Sequence, residues 1–169
     1  FKKTGKKDKV CRMYRLCTLN ECEKYEQALI HIDTEMPEYK DKDNDVIEQT
    51  CFALWGMEKY DECISKCNAF VSKIPNLNYY LSLCAYSRKN YQEAMKYITI
   101  ASGLPKNLLT FKVHYLRGLI QVALNDLTSA EASFHQSYKE NPKYLEAYIE
   151  IAKIYQQQNQ IKKAQRILL

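Results

Sequence analysis

The sequence has few of the residues that build turns and sheets. It contains four glycines and four prolines among 169 residues. Because tight turns and bulges depend on glycine, so small a number argues against an all-β or loop-rich fold. No apolar run approaches the roughly 18 residues of a membrane-spanning helix, and no secretory signal opens the chain. We therefore predict an intracellular protein, cytoplasmic or nuclear, with no membrane span.

The patterns that accompany enzyme chemistry are also missing. The sequence contains no glycine-rich phosphate loop, no nucleophile elbow and no pair of catalytic carboxylates. Its three histidines, His31, His114 and His135, are far apart and have no ligand or nucleophile spacing around them. We therefore predict a protein that is not an enzyme and that uses no cofactor.

One acidic segment begins like a calcium loop. Three aspartates alternate within residues 41–45, but Val46 stands where the loop needs glycine and Phe52 where it needs a bidentate glutamate. We interpret the segment as a polar linker in which Asn44 or Asp45 caps a helix.

The positive charge is concentrated at one end of the chain. The formal net charge is +5, and residues 1–9 (FKKTGKKDK) contain five lysines and one aspartate. The other residues are therefore nearly neutral, which argues against nucleic-acid binding by the body of the protein. The basic segment could contact nucleic acid or acidic lipid or act as a localisation signal, but a flexible, solvated tail is the simpler interpretation.

What the sequence does contain is a repeating pattern of small residues. A small residue follows a larger apolar one by three positions, and successive small residues are 35, 31, 36 and 34 positions apart. Prolines follow the first four of them by 9 to 12 residues. A period of about 34 residues is typical of stacked helical repeats. The pairs are Tyr25/Ala28, Tyr60/Cys63, Tyr91/Ala94, Leu127/Ala130 and Ile161/Ala164.

This pattern predicts an all-α solenoid of about five helix-turn-helix repeats. A flexible basic lead-in occupies residues 1–9, and the array occupies residues 10–169, where we expect it to be truncated at its C-terminal end. The predicted repeats are 10–37, 44–75, 77–105, 108–142 and 143–169. The predicted helices are 9–20, 24–36, 45–56, 59–73, 77–88, 90–103, 108–124, 127–140, 143–158 and 161–169.

Small residues allow two helices to cross closely, so we predict that they are the packing anchors of the array. The anchors that the repeating pattern predicts are Ala28, Cys63, Ala94, Ala130 and Ala164.

The seven cysteines are an odd number in a chain without a secretory signal, which indicates reduced thiols. Cys63 and Cys67 are one helical turn apart and could share a metal ion. However, Cys63 stands at an anchor where other repeats have alanine, and reduced cysteine is a small buried hydrophobe. We therefore predict packing there and no metal site.

The motifs themselves resemble the tetratricopeptide repeat (TPR) family. Its pattern of an aromatic, Leu-Gly, Tyr, Ala, Phe and Pro is matched in the fourth and fifth repeats. Arg117 and Gln121 depart from it, because apolar residues are usual there. The matching residues are Gly118, Ala130, Phe134 and Pro142 in the fourth repeat and Tyr148, Ala152, Tyr155 and Ala164 in the fifth. The resemblance implies that the solenoid is a right-handed superhelix, and it adds Gly118 and Ala152 to the predicted anchors.

A narrower likeness is to the N-terminal repeats of TPR subunits of the anaphase-promoting complex, which are scaffolds that also dimerise. Residues 115–118 (YLRG), 124–126 (LND) and 145–148 (LEAY), together with Ala130, are similar to those repeats.

The TPR resemblance implies that the first helix of each repeat lines a concave groove for a partner's helix or peptide. The alternative is that these side chains pack against adjacent helices, and the sequence leaves both open. The implied groove residues are Met13, Phe52, Trp55, Tyr79, Leu83, Tyr86, Tyr115, Leu119, Ile149 and Lys153.

The predicted function is a non-catalytic protein-interaction scaffold, a TPR subunit of a multiprotein complex that could itself form a homodimer. Its narrowest form is a role like that of the anaphase-promoting complex in the cell cycle and ubiquitination. The alternative is a partner-binding TPR segment of a larger enzyme or transport machine.

Overall fold

The computed structural model describes the backbone of residues 2–167 and the side chains of residues 8–167. This part of the chain forms ten α-helices and no strand, and 74% of the chain is helical. The prediction of an all-α fold is therefore confirmed. The helices are α1 (Lys2–Glu21), α2 (Tyr25–Glu35), α3 (Asn44–Gly56), α4 (Tyr60–Phe70), α5 (Leu77–Ser87), α6 (Tyr91–Ser102), α7 (Thr110–Ala123), α8 (Leu127–Glu140), α9 (Glu146–Gln157) and α10 (Ile161–Ile167).

The main difference from the predicted helices is at the beginning of the chain. Helix α1 starts at Lys2 rather than near residue 9, so the backbone of the basic segment is helical. The Lys9 ammonium pairs with the carboxylate of Asp43 and lies 5.1 Å from the centre of the Tyr39 ring. The side chains of residues 1–7 lie outside the described residues, and the flexibility of the lead-in stays a prediction.

A left-handed residue separates the two helices of every pair. The residues with positive φ are Glu23, Glu58, Lys89, Asn125 and Asn159, with φ between 57° and 62°. At each, the N–H donates to a carbonyl three residues back, and the following N–H donates to one five residues back, at 2.8 to 3.1 Å. This is the Schellman ending of a helix. Each left-handed residue precedes a small residue of the repeat pattern by five positions, so turn and anchor recur together.

The chain divides after Cys84 into two compact units, Phe1–Cys84 and Ala85–Leu169. In the first unit, α1 packs against α2 and α3, and α3 packs against α4. Asp43 caps α3 by accepting hydrogen bonds from the N–H groups of Asp45 and Val46. The expectation that Asn44 or Asp45 is the cap is therefore wrong, because the helix begins one residue earlier. The core of this unit includes Leu16, Ala28, Ile32, Met36, Val46 and Ala53.

In the second unit, α7 packs against both α6 and α8, and α9 packs against both α8 and α10. Gly118 lies so close to the Phe134 ring that a Cβ there would be 2.5 Å from a ring carbon. Gln121 is buried and accepts a hydrogen bond from the Ser133 hydroxyl at 2.6 Å, which explains a polar residue at an otherwise apolar position. The core of this unit includes Ala130, Phe134, Ala147, Ile151 and Ile154.

All seven predicted anchors are buried. The relative exposure of Ala28, Cys63, Ala94 and Ala130 is 0%. Such complete burial is expected where two helices approach too closely for a larger side chain. The other three buried anchors are Gly118, Ala152 and Ala164.

Candidate protein-interaction surfaces

Most of the predicted groove residues are neither core nor fully exposed. Leu83 is only 8% exposed and belongs to the core, whereas Ile149 is 46% exposed and Lys153 is also exposed. The remaining seven are half-buried, so each packs with part of its side chain and leaves part accessible. These seven are Met13, Phe52, Trp55, Tyr79, Tyr86, Tyr115 and Leu119.

In the first unit, the first-helix face is built around aromatic rings on α3. The rings of Phe52 and Trp55 stack with centroids 5.8 Å apart and an interplanar angle of 13°. Tyr25, at the start of α2, meets Phe52 edge-on at 5.9 Å. These ring contacts hold Phe52 and Trp55 in one orientation. Trp55 would therefore lose little side-chain entropy when a partner contacts its exposed edge.

The same face of the first unit also contains a shielded carboxyl group. Glu48 accepts a hydrogen bond from the Asn76 amide at 3.2 Å. Burial raises the pKa of Glu48, although the Asn76 hydrogen bond acts to lower it. Burial also raises the pKa of the Tyr80 hydroxyl well above its ordinary value. The polar atoms here are therefore held in fixed positions rather than freely solvated.

In the second unit, tyrosines dominate the corresponding face. Tyr115 on α7 lies 5.6 Å from the Phe134 ring and meets the Tyr144 ring edge-on at 5.1 Å. Tyr86, at the end of α5, packs against Tyr91 at 5.6 Å. Tyr115 and Leu119 also border the hydrophobic core of this unit. The same side chains therefore pack against their neighbours and remain partly accessible to a partner.

Carboxylates on α9 act electrostatically on the tyrosines of this face. Burial is the main cause that raises the pKa of Tyr86 and of Tyr115, and the negative charge of Glu150 raises both further. Burial together with Glu146 raises the pKa of Tyr144 to about 12. Glu150 in turn accepts a hydrogen bond from Lys153 at 2.6 Å. A partner residue with a positive charge would complement this face.

The structure also contains a cleft lined by residues of α2, α3 and α4 that the sequence pattern did not predict. It lies in the first unit, has a volume of about 760 Å³, and has apolar residues in its floor and charged residues on its rim. The repeat pattern marks close contacts between helices and not the gaps between them, so it gave no signal for this cleft. The lining residues are Leu29, Ile32, Asp33, Lys40, Thr50, Leu54, Lys59, Asp61, Glu62, Ser65, Lys66 and Ala69.

Comparisons with known proteins agree with this geometry. Residues 121–169 match the family model described as tetratricopeptide repeat. PilF of Pseudomonas aeruginosa has a TM-score of 0.75 and 18% identity, over 96% of this chain and 74% of that chain. MamA of Desulfovibrio magneticus RS-1 has a TM-score of 0.64 and 14% identity, over 93% of this chain and 91% of that chain. A further MamA structure has a TM-score of 0.66 and 14% identity, over 89% and 88% of the two chains. No curated protein sequence matches the chain significantly.

Paired helices with a recurrent turn and buried small anchors define a helical-repeat protein. Residues 121–169 match the tetratricopeptide repeat family, and the predicted resemblance to that family is confirmed. The fold is a protein-interaction fold. None of the similar structures named above is an anaphase-promoting complex subunit. Among the described residues, no helix is long and apolar enough to cross a membrane.

Proposed function

We propose that this chain is a non-catalytic scaffold that binds amphipathic helices of protein partners, each on the first-helix face of one unit. The observation that carries the proposal is the half-burial of the aromatic side chains on α3, α5 and α7. Large aromatic residues that are held in place and still accessible are typical interaction hot spots. The first-helix faces present the edges of these aromatic rings to a partner, and α9 presents carboxylates.

The chemistry of the partner helix follows from these faces. The apolar stripe of a helix bound to the first unit would cover Phe52 and Trp55, and that of a helix bound to the second unit would cover Tyr86 and Tyr115. At least one lysine or arginine of the partner would approach Glu150, whose charge raises the tyrosine pKa values. A charged contact of this kind contributes more to the choice of partner than to the strength of binding.

The wider role that we propose is that of a TPR subunit of an intracellular multiprotein complex. Its narrowest form, a cell-cycle role like that of the anaphase-promoting complex, is supported by the short sequence similarities around Gly118 and Ala130. The alternative role is a partner-binding segment of a larger enzyme or transport machine. A second copy of this chain could also occupy the faces, and the test below separates that case.

The test compares two pairs of substitutions in the intact protein. The first variant, Trp55→Ala/Tyr86→Ala, removes one aromatic from each unit. The second, Ile30→Ala/Ile100→Ala, removes two isoleucines on second helices that are 55% and 52% exposed. Quantitative affinity copurification identifies bound proteins, and analytical ultracentrifugation measures self-association. Circular dichroism shows whether each variant keeps its helical content.

We expect the aromatic variant to weaken binding by at least about 2 kcal/mol, as loss of hot-spot residues does. The isoleucine variant should bind like the wild type. Loss of self-association alone would assign the faces to a second copy. Full binding by the aromatic variant, with loss of binding on charge reversal of the lysines in residues 2–9, would contradict the proposal and transfer recognition to the basic segment.

A further inference from the structure

Three thiols from different parts of the sequence meet inside the first unit. Cys51 comes from α3, and Cys63 and Cys67 come from α4, one helical turn apart. All three are 0% exposed, and their Sγ atoms lie within 4.8 Å of one another. The Sγ atoms of Cys51 and Cys67 are 3.5 Å apart, and the Cys63 thiol donates to the Cys51 carbonyl oxygen at 3.3 Å.

The fourth repeat shows what packing alone requires at these positions. Counted from the left-handed turn residue, Cys51 and Cys67 correspond to Gly118 and Phe134, which are in close contact. Two medium-sized thiols thus replace a very small and a very large side chain. Packing accounts for that exchange, but it does not account for the sulfur of Cys63.

The position of Cys63 is alanine in every other repeat. The equivalent residues are all buried, so a methyl group is sufficient for the helix crossing. The equivalent residues are Ala28, Ala94, Ala130 and Ala164. The sulfur of Cys63 is the additional atom at this position, and it completes the three-thiol group.

The sulfur positions suit a metal ion. With metal–sulfur bonds of about 2.3 Å, ligand sulfurs lie about 3.8 to 4.0 Å apart in tetrahedral or trigonal sites. The thiols of Cys51 and Cys67 are 3.5 Å apart, and no separation in the group exceeds 4.8 Å. Shifts of a few tenths of an ångström would therefore place all three around one ion.

The ligand set selects the kind of ion. Within the described residues, no histidine or carboxylate belongs to this group. Thiolates alone favour soft cations such as Cu(I) and Zn(II). Structural zinc sites use four protein ligands, whereas Cu(I) accepts three thiolates, so a three-thiol group favours copper.

The three thiols also interact with one another through hydrogen bonds. Hydrogen bonds from Cys63 and Cys67 lower the pKa of Cys51, and the positive charge of Lys66 lowers it further. The hydrogen bond to Cys51 raises the pKa of Cys67. Each thiol that coordinates the ion releases one proton when the ion binds.

We propose that Cys51, Cys63 and Cys67 form a thiolate site for one Cu(I) ion that joins α3 to α4. Because all three residues are buried, the ion enters while these helices are open, during folding or local unfolding. Its effect is structural, because a ligand that binds only the folded state stabilises it.

The experiment uses the full chain, unfolded and refolded under anaerobic, reducing conditions with Cu(I) supplied as its acetonitrile complex. A competing Cu(I) chelator sets the affinity scale, elemental analysis gives the stoichiometry, and ultraviolet sulfur-to-copper charge transfer identifies thiolate ligands. Cys63→Ala is the main variant, since alanine is the native residue in the other repeats. Cys22→Ala, which removes an exposed thiol, is its matched control. The variant Cys51→Gly/Cys63→Ala/Cys67→Phe copies the fourth repeat and tests whether the first unit folds without these three thiols.

We expect about one copper ion per chain and a higher melting temperature with Cu(I). In Cys63→Ala, the affinity for Cu(I) should fall by at least about 100-fold, which is more than the removal of a residue outside the ligand set costs. Cys22→Ala should bind like the wild type, and the triple variant should fold without a Cu(I)-dependent shift. Equal binding by Cys63→Ala and the wild type would overturn the proposal. So would a stronger response to Zn(II) that also depends on Cys84, because it would indicate a four-thiolate zinc site.

Discussion

The two units meet the same packing requirement with different side chains. Both use the left-handed turn followed five residues later by a small anchor, Cys63 in the second repeat and Ala130 in the fourth. Around the anchor, the second unit pairs Gly118 with Phe134, whereas the first unit brings two thiols together. Different pairs of side chains can therefore fill the same helix crossing. This difference also explains why the family pattern is recognisable in the second unit.

The largest effect that we predict concerns the anchor of the second unit. Ala130→Leu should destabilise the protein by about 3 kcal/mol, since overpacking a fully buried crossing forces the helices apart. Gln157→Leu adds a similar side chain at an exposed position and should leave the stability nearly unchanged. Chemical denaturation of both variants measures the difference. If both unfold like the wild type, Ala130 is not at a close crossing.

The second prediction compares the two glycines that face aromatic rings. A Cβ at Gly118 would lie 2.5 Å from the Phe134 ring, and a Cβ at Gly56 would lie 2.4 Å from the Tyr25 ring. Phe134 is fully buried and cannot move, whereas Tyr25 is half-buried and can swing outward. Gly118→Ala should therefore cost about 1 to 2 kcal/mol, after the better helix propensity of alanine is included.

Gly56→Ala should cost clearly less than Gly118→Ala in the same denaturation experiment. Equal losses would mean that the Tyr25 ring is held as firmly as the Phe134 ring, and the contrast between the units would disappear at this position.

Much of the fold could be predicted because the repeat pattern depends on close helix crossings. The bounds of α2 through α10 lie within about three residues of the predicted ones, since small anchors and prolines both restrict where helices end. The turn positions Glu23, Glu58 and Lys89 gave no such signal. Glycine is the usual residue there, and here the Schellman hydrogen bonds hold a non-glycine residue in the left-handed region.

The candidate site was less predictable than the fold. The first-helix pattern located most of the half-buried aromatic residues, but it could not distinguish Leu83, which is buried, from Ile149, which is exposed. Both are large aliphatic residues at the same helical phase, and only the neighbouring helices decide their exposure. Cys51 was missed for a similar reason, because its proximity to Cys63 and Cys67 arises from the pairing of α3 with α4.

The third prediction compares the aspartates that cap a helix in each unit. Asp43 caps α3 and also pairs with Lys9, whereas Asp126 caps α8 by accepting a hydrogen bond from the N–H of Ser129. Asparagine caps a helix as well as aspartate does. Asp43→Asn should therefore lose only the ion pair, about 0.5 to 1 kcal/mol at neutral pH. Asp126→Asn should be nearly neutral.

The pH dependence of this loss has a defined sign. Burial acts to raise the pKa of Asp43, but hydrogen bonds from Lys9 and Val46 outweigh it and lower the pKa below the ordinary 3.8. A carboxyl whose pKa is lower in the folded state stabilises the protein above its unfolded pKa and loses that contribution as pH falls through the folded pKa. Thermal melts should show the difference between wild type and Asp43→Asn at pH 7, and the difference should vanish in strong acid. A difference that persists in acid would exclude the ion pair as its source.

The smallest effect that we predict is a gain in stability at a turn. Lys89 has a φ of 62°, and this left-handed conformation costs a residue with a Cβ about 1 kcal/mol or more of stability. Glycine in its place would cost about 0.5 to 1 kcal/mol of stability, because it has more conformational entropy in the unfolded chain. Lys89→Gly should therefore stabilise the second unit by about 0.5 kcal/mol, and Glu58→Gly should do the same in the first unit. Asn125→Gly is the matched control, because asparagine already tolerates the left-handed region and should gain less. Denaturation midpoints of the three variants measure the order. Equal gains at Lys89 and Glu58 would show that both units use the same turn despite their different cores. A loss of stability at either position would mean that its side chain stabilises the protein by more than the left-handed backbone costs.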